Sequence, residues 1–214
     1  MNGADEAVAA LRGVTLAAVA DALDHLGIAG VCRPGLHGFA PATVVGPAVT
    51  VAYAASDRRE PPRHAFDVLD AAPAGSIVVL AAGGVAEVAF WGGVLTATAI
   101  RKGLAAAVVD GGIRDLDDIE RHRFPVFATS VALRGPAGRY RSVAAGVPID
   151  CAGVRVVPGD VVVAGRDGVV CVPRSAAADV ARIAAEVDQR EFRLVEAAAN
   201  CGSLRAAALS ERFF

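Results

Sequence analysis

The stretch VVDGGIRDLDDI, residues 108–119, packs an apolar run, a double glycine, an arginine and four acids into twelve positions. Arg114 and Asp115 stand side by side at its centre. An arginine fork suits a carboxylate or an enolate oxygen, and an aspartate offers magnesium or manganese a hard oxygen ligand. The pair is therefore suited to gripping a chelating oxo acid. A second turn, WGGVL, opens a helix-like segment. There the N–H groups of Gly92, Gly93, Val94 and Leu95 would be uncovered at a helix start, where the dipole favours an anion such as a substrate carboxylate.

Structural readings compete at each of these positions. Asp115 precedes LDDIERH and has Asp118 three residues on, the pattern of a helix N-cap. Arg114 has Asp117 and Asp118 within reach for a surface ion pair. The glycine pair in WGGVL also suits a tight strand-to-helix connection that holds nothing. A dinucleotide site is disfavoured, because neither AAGGVAEVAFWGG nor DGGIRD supplies G-x-G-x-x-G after a strand.

The elements that position the two turns are readable from periodicity and punctuation. LAAAVVD reads as a buried strand ending at Asp110, from which Gly111 and Gly112 turn the chain by conformations that a side chain would forbid. GGVLTATAIRKG reads as a helix closed by Gly103. Upstream, VTLAAVADALDHLG predicts a helix with Thr15 as N-cap, an apolar face of Leu16, Val19, Ala20, Leu23 and Leu26, and a stop at Gly27. ATVVGPAVTVAYA and GSIVVLAAG predict strands, with a short helix in HAFDVLDA between them. After Pro125 come short β segments, then a long Ala-rich helix over about 175–199. The order predicts an α/β fold in which an α/β layer carries a mixed or antiparallel β layer, rather than a doubly wound parallel sheet. Residues 1–214 are read as one domain, with 200–214 as a docking helix or a tail.

Composition narrows the function classes. A net charge of −2 with no basic stripe argues against a nucleic-acid binder. Hydrophobic residues make up 54% of the chain, yet its longest uncharged stretch, residues 34–56, is broken by three prolines, three glycines and His37, so no membrane span is predicted. The excess apolar surface is assigned to contacts between copies, predicting a homo-oligomer with a small-molecule substrate. Asp5 and Glu6 stand where a secretory signal carries positive charge, and a cytoplasmic protein is expected. Cys32, Cys151, Cys171 and Cys201 lack zinc spacing and are read as reduced, mostly structural thiols. The histidines are equally dispersed.

Taken in order, TLAAVADALDHLG, VVGPAVTV, WGGVLTATAIRKGLAAAVVDGGIRDLDDI, PVFATSVALRGPAGR and VPIDCAGVRVVPGDVVVAGRDGVVCVPR resemble one family over most of the chain. That family contains the class II 4-hydroxy-4-methyl-2-oxoglutarate aldolases, also called 4-carboxy-4-hydroxy-2-oxoadipate aldolases, and the related RraA-like regulators of ribonuclease E activity. The resemblance implies a layered α/β/β sandwich or barrel-like core with N-terminal helices and a long C-terminal helix. It also implies trimers or hexamers with sites at subunit boundaries. By the same resemblance Arg114 takes the substrate-arginine role, Asp115 holds a divalent cation, Mg2+ or Mn2+, and the backbone of Gly92, Gly93, Val94 and Leu95 binds the substrate carboxylate.

The retained Arg-Asp pair points to the aldolase branch. One departure stands out: aldolase members carry an acid at the second glycine of WGG, where it contacts the metal's water, and this chain has Gly93. Glu87 and Glu191, the latter resembling an acid lent to a neighbouring site, are the candidates to replace it. The implied activity is metal-dependent cleavage of a 4-hydroxy-2-oxo dicarboxylic acid to pyruvate through an enolate, accompanied by oxaloacetate decarboxylation. Three alternatives stay open. One is a non-catalytic regulator of RNA processing that binds a protein. Another is a lyase or hydratase for a different oxo acid. The third is a Schiff-base aldolase, disfavoured because the sole lysine, Lys102, sits at a helix C-terminus.

Overall fold

The computed structural model describes residues 3–39 and 42–210. In chain order the elements are α1 (Gly3–Leu11), α2 (Leu16–His25), β1 (His37–Gly38), β2 (Val44–Ala55), α3 (Arg63–Ala71), β3 (Ile77–Trp91), α4 (Gly93–Arg101), β4 (Ala106–Ile113) and α5 (Leu116–His122). They continue as β5 (Val126–Val131), β6 (Tyr140–Ala145), β7 (Ile149–Cys151), β8 (Val154–Val156), β9 (Val161–Gly165), β10 (Gly168–Val172), α6 (Ala177–Cys201) and α7 (Leu204–Ser210). The 200–214 segment thus ends in a helix, and its last four residues lie outside the described ones.

The main sheet is mixed, as the sequence pattern predicts. Its strand order is β1-β5-β4-β3-β2-β9-β10, with β6 also on β2. β2 to β5 run parallel, while β9, β10, β6 and β1 pair antiparallel. β2 is long enough to serve two layers. Its first residues pair with β9, and from Ala48 onward it joins β3 and then β6.

Alternation along the strands sorts side chains into cores on opposite faces. In β3, Val78 and Leu80 join Leu69, Trp91, Ile119 and Phe124 beneath α3, α4 and α5. Ile77 and Val79 instead face Phe127, Cys151, Val154 and Val162 in the β layer. A third core, with Leu11, Val19, Leu23, Val163, Val172 and Val180, fastens α1, α2 and α6 to β9 and β10. The architecture is therefore layered, with helices outside both β layers.

Two sequence expectations change. Thr15 caps α2 by accepting the Ala18 N–H at 3.1 Å, but the buried face is Ala18, Val19, Ala22 and Leu23, with Leu26 exposed. Alanines face inward because α6 packs on α2. The second change concerns the double glycine. β4 does not end at Asp110 but runs through Gly111 and Gly112 to Ile113, and neither glycine has a positive φ. Packing demands them instead. A Cβ on Gly111 would stand 2.7 Å from Phe90, and one on Gly112 would stand 2.7 Å from the Val88 carbonyl oxygen.

Cys32, Cys151 and Cys171 are buried and Cys201 is exposed, all as free thiols. Although far apart in sequence, the first three share one core. Hydrogen bonding to Cys32, followed by burial, pushes the Cys151 and Cys171 thiols well above their ordinary range.

Candidate active site

The site is built where two parallel strands end side by side. β3 ends at Trp91 and enters α4, and β4 ends at Ile113, opposite Trp91, and enters α5. The Arg114 N–H donates to the Trp91 carbonyl at 3.0 Å, tying the two exits together. The Trp91 indole N–H donates to Thr96 Oγ1 at 2.9 Å, and its ring stacks on Phe124. Trp91 thereby fixes the start of α4 relative to the sheet.

The left-handed residue at this junction is Asp115 itself, with φ 59° and ψ 45°. Aspartate tolerates that region better than most side chains. An N-cap side chain normally reaches its own first turn from an extended backbone. From the left-handed region Asp115 occupies the N-cap position of α5 without bonding to that helix through its side chain. Its Oδ2 crosses the junction and accepts the Gly93 N–H at 2.9 Å. The sequence-based N-cap reading is thus corrected: Asp115 covers the N-terminus of α4.

That crossing explains WGG. Gly92 has an extended backbone, so conformation does not require glycine there. Proximity does, because a Cβ on Gly92 would stand 2.6 Å from Asp115 Oδ2. At Gly93 a Cβ would stand 2.6 Å from Asp118 Oδ2 and 3.5 Å from Asp115 Cβ. The Asp118 carboxylate therefore fills the place that a side chain at 93 would take. Its Oδ1 accepts from Arg121 Nη1 at 2.9 Å, so Arg121 and not Arg114 is its ion-pair partner. Arg114 lies 3.8 Å from Asp115 Oδ2 and donates to the Leu133 carbonyl at 3.4 Å.

Of the α4 amides, Gly93 is engaged by Asp115, and the first N–H bonded within the helix is that of Thr96. Val94 and Leu95 N–H groups have no acceptor inside the helix, which leaves them for an anion. They border a cleft of about 600 Å³ lined by Gly92, Val94, Leu95, Arg114 and Asp115 at one end, floored by Ala89, Phe90 and Trp91, and walled by residues 59–62 and 135–137. The sequence-derived residues Arg114, Asp115, Gly92, Val94 and Leu95 thus come together. Gly93 stands beside them, its amide already taken.

Glu87 and Glu191 are not brought to this cleft. Glu87 is exposed in the middle of β3. Glu191 is exposed on α6, which packs against α1, α2 and α7. Lys102 lies outside the cleft, its Nζ donating to the Asp70 carbonyl at 2.8 Å. Sequence reasoning gave Asp118 only as a capping or ion-pair partner and passed over its place beside Gly93. The signal was there, since Asp118 lies three positions after Asp115 on a helix and so shares its side.

Among the described residues no group of three or more His, Cys, Asp and Glu side chains is gathered as a complete metal cage. Asp115 Oδ1 has no hydrogen-bond partner there, while Oδ2 is held by Gly93. One carboxylate oxygen beside an open cleft fits a hard cation that keeps water and substrate oxygens for most of its ligands, the habit of Mg2+.

A family model described as RraA-like, Aldolase/RraA, matches residues 16–171, which include every element around the cleft. The chain belongs to the Aldolase/RraA family. Protein DlpA of Legionella pneumophila is 30% identical over 196 residues, covering 89% of this chain and 31% of that protein. A Halalkalibacterium halodurans protein named as a candidate 4-hydroxy-4-methyl-2-oxoglutarate aldolase is 35% identical over 133 residues, 61% of this chain and 60% of that protein. The aligned stretch thus spans under two thirds of either curated relative. Among solved structures, Streptomyces coelicolor RraAS2, described as an unusual member of the RNase ES inhibitor RraA family, matches with a TM-score of 0.79. Its identity is 31%, with 90% of this chain and 96% of that chain covered.

Proposed function

We propose that this Aldolase/RraA protein is a divalent-metal-dependent lyase that cleaves 4-hydroxy-2-oxo dicarboxylic acids to pyruvate through an enolate and also decarboxylates oxaloacetate. The observation that carries the reading is the convergence of Arg114, the partnerless Oδ1 of Asp115 and the open Val94 and Leu95 amides at one end of one cleft. Likeness to the candidate aldolase supports it.

Asp115 would hold the cation, which supplies Lewis-acid polarisation of the C2 carbonyl. The Val94 and Leu95 amides bind the C1 carboxylate and set the substrate's direction. When the C3–C4 bond breaks, its electron pair moves into C3–C2 and negative charge develops on the C2 oxygen. Arg114 meets that charge with a preorganised donor, the kind of contact worth about 3 kcal/mol in a transition state. The C4 hydroxyl loses its proton as the new carbonyl forms. That proton passes to solvent, and C3 takes one up from solvent to complete pyruvate. The buried Phe90 and Trp91 keep the floor apolar, which strengthens each charge interaction above it.

The same reading holds that copies assemble as a trimer or hexamer in the cytoplasm. Val94 at the cleft and Leu133, whose carbonyl accepts from Arg114, are 77% and 86% exposed, apolar surface that a neighbouring copy would cover. Glu191 would reach a cleft only from such a copy. No helix among the described residues is long and apolar enough to cross a membrane.

Pyruvate release from oxaloacetate by metal-stripped protein, with and without Mg2+ or Mn2+ and above the metal-only background, tests the reading. Metal-dependent release that Asp115→Ala removes is expected. No release under either condition would refute it. The likeness to RraAS2 over nine tenths of the chain favours a second reading, a metal-independent binding protein that acts on RNA processing.

A further inference from the structure

The lyase reading occupies one end of the cleft. A volume of about 600 Å³ lies in the range that takes ligands well beyond a three-carbon acid. The opposite wall comes from the segment before α3 and its first turns: Arg59, Glu60, Pro61, Pro62 and Phe66. Four charged side chains line the cleft, Arg59, Glu60, Arg114 and Asp115. Three have a charged partner. Asp115 lies by Arg114 at 3.8 Å, and Glu60 lies by Arg141 at 3.7 Å. Arg59 has no hydrogen bond or ion pair among the described residues, so it is the cleft's one uncompensated charge.

Arg59 is also held in position. The Ser56 N–H donates to the Arg139 carbonyl at 2.8 Å and the Gly138 N–H to the Arg58 carbonyl at 3.0 Å, pinning the backbone on both sides of residue 57. Pro61 and Pro62 restrict the chain beyond it. Its stem lies over Gly138, where a Cβ would stand 3.4 Å from Arg59 Cγ. At the other end of that turn, a Cβ on Gly135 would stand 3.5 Å from Arg114 Nη1. Three residues of chain span at most about 11 Å. One short turn therefore touches both arginines, and both line the same cleft.

We propose that Arg59 binds the distal carboxylate of the substrate and makes the cleft selective for 2-oxo acids carrying a second carboxylate. The assignment rests on the lyase reading, which fixes the 2-oxo-acid end at Arg114 and Asp115. A guanidinium with no internal partner gives a full charge-assisted contact to an incoming carboxylate, and none to an analogue that ends in a methyl group.

Calorimetric titration of the full chain in Mg2+ with 2-oxoglutarate and with 2-oxobutyrate, two non-cleavable 2-oxo acids, tests it. Expected is a preference of about tenfold for 2-oxoglutarate, a contact's worth of affinity, that Arg59→Gln erases and Arg59→Lys partly restores. Binding of 2-oxobutyrate should stay unchanged in both variants. Equal affinities in the wild type, or a preference that survives Arg59→Gln, would overturn the assignment. Exchange of pyruvate methyl protons with D2O, which needs only the Arg114 and Asp115 end, separates the two failures. Exchange without an Arg59 effect overturns Arg59 alone, whereas no exchange and no binding of either acid overturns the lyase reading with it.

Discussion

Restoring an acid at position 93 should harm this protein. In Gly93→Asp the new Cβ would stand 2.6 Å from Asp118 Oδ2 and 3.4 Å from its Cγ, so the Asp118 carboxylate has to move. Moving it gives up the 2.9 Å contact with Arg121, an exposed pair worth at most about 1 kcal/mol. It also brings a third carboxylate beside Asp115 and Asp118, and like charges about 4 Å apart repel by about 1 kcal/mol in water and more where water is displaced. Against this stands the benefit of an acid in a helix first turn, about 0.3–1 kcal/mol. The balance is a loss of about 1–2 kcal/mol, or roughly 2–8 °C in Tm for a chain of this size. The assay is thermal unfolding of Gly93→Asp, Asp118→Ala and the double variant at one protein concentration, with pyruvate release measured beside it. The double variant should be more stable than the sum of the single changes predicts, by about 1 kcal/mol or more, because the clash and the repulsion disappear together. Additive behaviour, or a Gly93→Asp protein as stable as the wild type and faster, would show that Asp118 does not fill this space.

Two other substitutions separate roles within the acid end. Asp115→Asn keeps a side-chain oxygen for the Gly93 N–H and tolerates the left-handed backbone, so Tm should change little while metal-dependent turnover is lost; a large fall in Tm would mean that the charge is structural. Arg114→Lys keeps the charge but loses the planar fork and the contact to the Leu133 carbonyl, and kcat should fall by about 100-fold or more with little effect on folding; unchanged kcat would remove Arg114 from the chemistry.

Much of this was legible along the chain where the signal is local. Thr15 and Gly27 bracket α2, the glycines of WGG open α4, and β-branched runs mark β2 and β3. Distance hid the rest. β2 changes partners at Ala48, from β9 far along the chain to the nearby β3, a long-range exchange that periodicity does not encode. The double glycine of β4 looked like a turn because glycine serves both for bending and for close packing, and only the position of Phe90 and the Val88 carbonyl decides between them. At the site, residue types pointed to Arg114 and Asp115, and both line the cleft. The direction of the Asp115 side chain was not legible, since an aspartate before a helix is compatible with an extended or a left-handed backbone. Arg59 gave no local signal at all; the pairing of residues 56–58 with 138–139 is what brings it to the cleft.

The left-handed backbone at Asp115 carries the functional logic of the junction. A non-glycine residue held there costs about 1–2 kcal/mol, and the contact it makes possible, a carboxylate on a helix N-terminal amide, returns a similar amount. The strain is therefore nearly neutral for stability, and what it gains is direction. With Oδ2 fixed on Gly93, the carboxylate is held at the end of the cleft that Val94, Leu95 and Arg114 also line. On the lyase reading, a cation at Oδ1 would leave the bond at Oδ2 in place, and the same backbone would serve both forms. Had Asp115 capped α5 in the ordinary way, its carboxylate would have turned toward its own helix and left α4 without a partner. One unusual residue thus couples the exits of two parallel strands, and the acid end of the cleft is assembled before any ligand arrives.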